Sequence, residues 1–161
     1  MIQRIQSLLL LVAAGVAIAI NFIPIGELVQ NGVAQYQYDA FTLKKYQDGE
    51  LAGSVMNTTY VAVLWFASAL MSLVTIFLYK NRVRQMRFNR INMLIMLVAL
   101  AVMLFVYPDL VFAKQSWYGA GMDISFNNWI MVSFMAAVAL FFATRAIASD
   151  EKKVRAADRL R

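Results

Sequence analysis

The chain has 161 residues, 61% of them hydrophobic and 15% charged, with a formal net charge of +6. That composition belongs to a membrane protein and leaves room for one domain, residues 1–161. With no Cys and no His, disulfides and thiolate metal sites are excluded, and the commonest metal ligand and usual near-neutral acid or base are missing.

Four apolar stretches are long enough to cross a hydrocarbon core, which takes roughly 20 helical residues. They cover residues 7–23, 59–79, 91–107 and 128–148. The first has a rival reading as a cleaved signal peptide, because Arg4 precedes an apolar run containing Ala17-Ile18-Ala19. The run is long for that role and continues to Pro24, so a retained helix is expected. Pro24 and Pro108, the only two prolines, are expected just past helix ends, where a missing N–H does least harm. Trp65, Tyr60, Trp129 and Tyr79 are expected near helix ends, at the membrane interfaces.

Between the first and second spans, residues 24–58, Gln35-Tyr36-Gln37-Tyr38-Asp39-Ala40-Phe41 alternates polar and aromatic positions, which predicts a strand. Asp48-Gly49 supplies a turn, so a small hairpin or sheet is expected there. The segment 108–127 carries Phe112, Trp117, Tyr118 and Met122 around Gly119 and Gly121; it either adds a strand or dips into the interface.

Orientation follows from Lys and Arg. Twelve of the 15 lie in the N-terminus, the 80–90 connection and the end of the fourth span with its 149–161 tail. The positive-inside rule then makes both termini and the 80–90 loop cytoplasmic, with 24–58 and 108–127 outward.

No ionisable residue lies in the core of any span, as a proton relay would need. Asn21, Ser68, Ser72, Thr75, Ser133 and Thr144 read as hydrogen bonds between helices, and Ser68/Ser72, Gly15/Ala19 and Ala139/Ala143 have small-xxx-small spacing. Asp48 and Glu50 flank a glycine in a polar turn and read as solvated. No enzyme, metal site or cofactor is expected.

The tail "DEKKVRAADRLR" is the unusual feature. Ser149 suits an N-cap, Asp150 and Glu151 load the first turn, and Arg159 and Arg161 the last, complementing a helix dipole. Lys152, Arg155 and Arg159 fall on one stripe, with Arg155 placed to pair with Glu151 and Asp158. A self-paired solvated helix, a docking surface for a protein and a site for anionic lipid headgroups all fit. Nucleic acid is disfavoured, since Phe88 is the only interleaved aromatic.

The opening "MIQRIQ" and closing "TRAIASDEKKVRAADRLR", with four spans at this spacing, resemble an uncharacterised family of four-helix membrane proteins from Gram-negative bacteria, a domain of unknown function. Asp150, Glu151, Val154, Arg155, Asp158, Arg159, Leu160 and Arg161 match its closing motif, while Thr144 stands where that family usually has Asn. The resemblance implies fold and a bacterial inner-membrane location, and no activity, cofactor or catalytic residue.

The expected fold is therefore an all-α integral membrane protein: a four-helix bundle with a small extracytoplasmic hairpin or sheet in the first outward loop and a charged cytoplasmic C-terminal helix. The expected role is a non-enzymatic subunit or scaffold of a membrane assembly, embedded in the bilayer and docking a membrane-protein partner or a second copy. Its candidate contacts are Arg82, Arg84, Arg87, Lys152, Arg155, Asp158 and Arg159. The alternative is a small transporter or lipid-handling protein with a polar cavity around Asn21, Ser72 and Asn128.

Overall fold

The computed structural model describes residues 2–30, 32–47, 50–115 and 121–158, with side chains for all of these except 2–4, 110 and 157–158. Helix α1 (Ile2–Ala19) ends in a 3-10 turn, Ile20–Phe22, capped by the extended Ile23 just before Pro24. Strands β1 (Gly26–Gln30), β2 (Val33–Tyr38), β3 (Thr42–Gln47) and β4 (Glu50–Asn57) follow, and then α2 (Thr59–Phe77). After the 3-10 turn Leu78–Lys80, α3 (Arg82–Ala101) continues as a π-helix over Val102–Val111 and a 3-10 turn over Phe112–Lys114. Strand β5 (Met122–Phe126) leads into the long α4 (Ile130–Asp158).

Each helix packs against two neighbours, α1 and α3 both touching α2 and α4. The contact faces are rich in small residues, with Ala13, Ala17, Ala62, Ala69, Ala99, Ala136 and Ala143 buried. Without a hydrophobic drive between helices in lipid, close backbone approach and dispersion hold such a bundle together. Bulky apolar groups such as Leu8, Leu70, Leu94, Phe105, Met131 and Phe142 point outward instead. Of the small-xxx-small pairs, Ser68/Ser72 and Ala139/Ala143 are buried at these contacts, whereas Gly15 and Ala19 lie on the exposed face of α1.

The fold is not the all-α bundle expected. All four strands of the first loop and β5 from the second form one antiparallel sheet, ordered β4-β3-β2-β1-β5. The alternation in β2 is real: Tyr36 and Tyr38 turn inward, and with Leu28, Leu43 and Met122 they bury one face of the sheet. Backbone bonds weld that face to the helices, Ala62 N donating to Ala40 O at 3.3 Å and Thr58 N to Phe41 O at 2.9 Å. Gln47 pairs with Glu50 across a two-residue connection whose Asp48 and Gly49 lie outside the described residues. Gln30 likewise pairs with Val33, and there Gly32 takes φ +80°, a conformation suited to glycine in a tight hairpin.

Gly26 marks a close approach between β1 and β5. A Cβ added to it would lie 2.9 Å from the Ser125 carbonyl oxygen and 3.4 Å from Phe126 Cα, both backbone atoms that cannot swing aside. Gly26→Val is expected to part β5 from β1 at a cost of about 1–3 kcal/mol. Amide hydrogen exchange should accelerate across Met122–Phe126 and stay unchanged in the β3–β4 hairpin.

The helices also depart from the expected limits. Pro108 sits inside the π-helical stretch, and the third helix carries on past it. Local π geometry re-satisfies backbone groups that proline's missing N–H would otherwise leave unpaired in lipid. The basic 80–90 segment is almost entirely helical, since α3 starts at Arg82 with Asn81 Oδ1 accepting a bond from Arg84 N at 3.1 Å. At the other end α4 runs unbroken through Ser149, which is therefore an interior helical residue and not an N-cap. Trp65 is fully buried in the core and not at an interface.

Candidate functional site

The end of the bundle away from the sheet brings together the α2–α3 connection and the last turns of α4. Arg82 ties them with two bonds to one residue: Nη2 lies 3.2 Å from Asp150 Oδ2, and Nη1 donates to the Asp150 carbonyl at 3.1 Å. Both side chains are mostly buried, so this pair is less screened than a surface one. One turn later, Arg155 Nε donates to Glu151 Oε1 at 2.8 Å, an exposed i,i+4 pair that contributes little to stability. Between the two elements lies a groove of about 520 Å³ walled by Tyr79, Lys80, Arg82 and Val83 on one side and Glu151 and Val154 on the other.

Of the sequence candidates, Arg82 is part of this groove, and Arg84, Arg87, Lys152 and Arg155 are exposed on the helices that form it. The Asp158 side chain and Arg159 lie outside the described residues, so the expected Arg155–Asp158 pair does too. Asp150, expected as a helix-start charge, is instead the acceptor for Arg82.

Deeper in the bundle is a ladder whose hydroxyls, Ser68, Ser72 and Thr144, bond between helices as the sequence reading expected, and whose amides it missed. Gln85, Asn89 and Asn92 are spaced i, i+4, i+7 on one face of α3, and all three are buried. Asn92 is a hub between α3 and α2, its Oδ1 accepting from Ser68 Oγ at 2.8 Å and its Nδ2 donating to Ser72 Oγ at 2.7 Å. Gln85 Nε2 reaches the Thr75 carbonyl at 3.1 Å. Asn89 Nδ2 joins α3 to α4, donating to the Leu140 carbonyl at 2.9 Å and to Thr144 Oγ1 at 2.7 Å. These uncharged groups reach hydroxyls and backbone carbonyls of neighbouring helices, which suits them to holding helices in register. Among the described residues, no three His, Cys, Asp or Glu are placed to hold a metal ion.

At the sheet end, Tyr38, Tyr107 and Phe112 form an aromatic joint between β2 and the π-helical end of the third helix. Tyr38 meets Phe112 edge-on at 5.2 Å between centroids and Tyr107 at 5.8 Å. Burial, then the neighbouring Tyr107 and Asp39, push the Tyr38 phenol far above its ordinary range, so it stays a neutral group. Of the residues named for a polar cavity, Asn21 is buried at the end of α1, Ser72 is bound to Asn92, and Asn128 is exposed.

With apolar side chains covering the outside of four helices that are each long and apolar enough to cross a membrane, and the amides turned inward, the chain is built as a multi-pass membrane protein. It belongs to the family described as Domain of unknown function (DUF4293), which it matches over residues 2–160. That membership agrees with the resemblance to an uncharacterised family. No curated protein and no solved structure matches the chain.

Proposed function

We propose that the protein is a non-catalytic subunit of a bacterial inner-membrane assembly, with both termini cytoplasmic, and that its groove at the end opposite the sheet receives an acidic segment of a partner protein. The Arg82–Asp150 clamp carries this reading, because it fixes two elements far apart in sequence into one preformed surface. The α4 acids at this end are committed, Asp150 to Arg82 and Glu151, in the groove wall, to Arg155. Lys80 in its wall, and Arg84, Arg87 and Lys152 beside it in the chain, leave a surplus of positive charge that favours an acidic partner. The excess of Lys and Arg at that end supports its cytoplasmic placement.

A photo-reactive amino acid at Val154, which lines the groove and is exposed, is expected to give one discrete protein adduct in native membranes. The adduct should weaken by about tenfold when Lys80→Glu and Lys152→Glu are combined, the effect of losing two charge contacts at an interface. Adducts with lipid only, or a protein adduct indifferent to charge reversal, would refute the reading.

A further inference from the structure

Two arginines that the partner groove does not use, Arg90 and Arg145, come together on the outer side of the α3–α4 pair. One set of hydrogen bonds places them. Asn89 Nδ2 donates to the Leu140 carbonyl and to Thr144 Oγ1, so those faces of α3 and α4 meet. The two helices run antiparallel, since Arg82 at the start of α3 is tied to Asp150 near the end of α4. The residue after each contact, Arg90 on α3 and Arg145 on α4, is turned by about 100° around its helix. In antiparallel helices those two turns have opposite senses seen from one end, which carries both arginines to the same side. The other side faces the interior, where Asn92 bonds to Ser68 and Ser72 of α2 and where Ala143 and Ile147 are buried. Arg90 and Arg145 are both exposed, as the outer side requires.

The two side chains are also directed towards one another. Asn89 is level with the middle of the turn from Leu140 to Thr144, which sets Arg145 about 6 Å nearer the basic end than Arg90, on axes roughly 8–10 Å apart. A helical side chain leans towards the N-terminus of its own helix, so Arg90 leans towards the basic end and Arg145 away from it. Arg145 does so in the structure: its guanidinium carbon lies 5.4 Å from the centroid of the Phe141 ring, one turn back along α4. The space between the two guanidinium groups suits one shared anion.

The protein supplies no such anion. Among the described residues neither arginine is in an ion pair, and the α4 acids at this end are taken, Asp150 by Arg82 and Glu151 by Arg155. Two cations held on one face repel, and an anion shared between them turns that repulsion into attraction. The surroundings indicate what carries the anion. By the same helical period Leu94 and Leu97 of α3 and Val138 and Phe141 of α4 lie on this outer side, and all four are exposed on helices apolar enough to cross a membrane. Acyl chains cover such a surface, and basic residues between helices at its border meet phospholipid headgroups. An acidic protein segment would have to displace lipid from those four apolar side chains to reach the pair. The planar fork of arginine binds two phosphate oxygens at once. A zwitterionic headgroup brings a cation of its own to the two arginines, whereas an anionic one brings none. We infer that the outer side of α3–α4 is a binding site for an anionic glycerophospholipid, with its phosphate between Arg90 and Arg145 and its acyl chains along Leu94, Leu97 and Val138.

Native mass spectrometry of the full chain in detergent tests this with phosphatidylglycerol and phosphatidylcholine of matched acyl chains. Retention of phosphatidylglycerol is expected to exceed that of phosphatidylcholine by about tenfold, the discrimination of one charge-assisted contact. Arg90→Gln and Arg145→Gln should each remove most of that preference, and the double variant should lose little more, because one phosphate shared by both is already released. Lys153→Gln removes the same charge from another exposed position about two turns further along α4 and should keep the wild-type preference. All three positions are exposed, so the variants are expected to fold. Soluble glycerophosphoglycerol should compete only at far higher concentration than the lipid; binding as tightly as the lipid would make the ligand a free phosphodiester and overturn the lipid assignment. Equal retention of the two lipids, a preference unchanged in both arginine variants, losses that add in the double variant, or an equal loss in Lys153→Gln would each overturn the inference.

Discussion

Trp65→Ala is expected to destabilise the protein by about 3–5 kcal/mol, the range for removing a buried large aromatic group. Trp65 is fully buried in α2 and is the largest such side chain in the core, beside the small residues that let the helices approach. Its removal leaves a cavity that alanines on the neighbouring helices are too short to fill. Trp65→Phe should cost much less, because the indole N–H has no hydrogen-bond partner and loses nothing when it goes. Thermal unfolding in detergent, followed by far-ultraviolet circular dichroism, separates the two variants. An indole anchored at the membrane interface would give the opposite pattern, with Ala and Phe both close to wild type.

The second large effect is at Asn89, which is 0% exposed. Its NH2 points at the Leu140 carbonyl and Thr144 Oγ1. Asn89→Asp would put a carboxylate oxygen against that carbonyl in a dry bundle, at a cost of about 3 kcal/mol or more at neutral pH. Asn89→Leu, which removes the bonds but buries no charge, should cost about 1 kcal/mol. Thermal unfolding in detergent at neutral pH separates these, with the Asp variant losing clearly more stability than the Leu variant. Equal losses would mean that water reaches this part of the bundle.

These two residues also show what could and could not be read from the chain. The four spans are legible because an uninterrupted apolar run of sufficient length has almost no other use. Trp65 was misplaced because a tryptophan near the start of a span reads equally well as an interface anchor or as core. The helical period, 3.6 residues, decides it: Val61, Ala62, Trp65, Ser68, Ala69 and Ser72 make one buried face. Gln85, Asn89 and Asn92 were missed for a different reason. Arginines at positions 82, 84, 87 and 90 suggested a loop, yet on a helix Arg84, Arg87 and Arg90 turn outward while the amides turn inward, on the same side as the mostly buried Arg82.

The sheet was half legible. Alternation marked β2, where Tyr36 and Tyr38 fill one face. Asn31-Gly32 was a hairpin signal that went unread, although the next pair, Asp48-Gly49, was recognised. Strand β4 has little alternation to read, being largely exposed with Gly53 in its middle. The cytoplasmic candidates were located better than they were explained. Arg82 belongs to a groove, as a docking reading needs, but its tie to Asp150 spans a distance in sequence that no local pattern conveys.

The pairing of β1 with β5 has a consequence for how the protein is made. Gly26 meets Phe126, and Gln30 meets Met122, so β1 waits for a partner that leaves the ribosome about a hundred residues later. Contacts of such large sequence separation form slowly. Until then the nascent protein carries β1 as an open edge, with one row of amides and carbonyls free to join a strand of another chain. Completion of α3 must precede closure, so biogenesis has a built-in interval of vulnerability. A chain that stops before residue 122 would keep that edge permanently, and its failure would take the form of aggregation between copies even though three of the four helices are present.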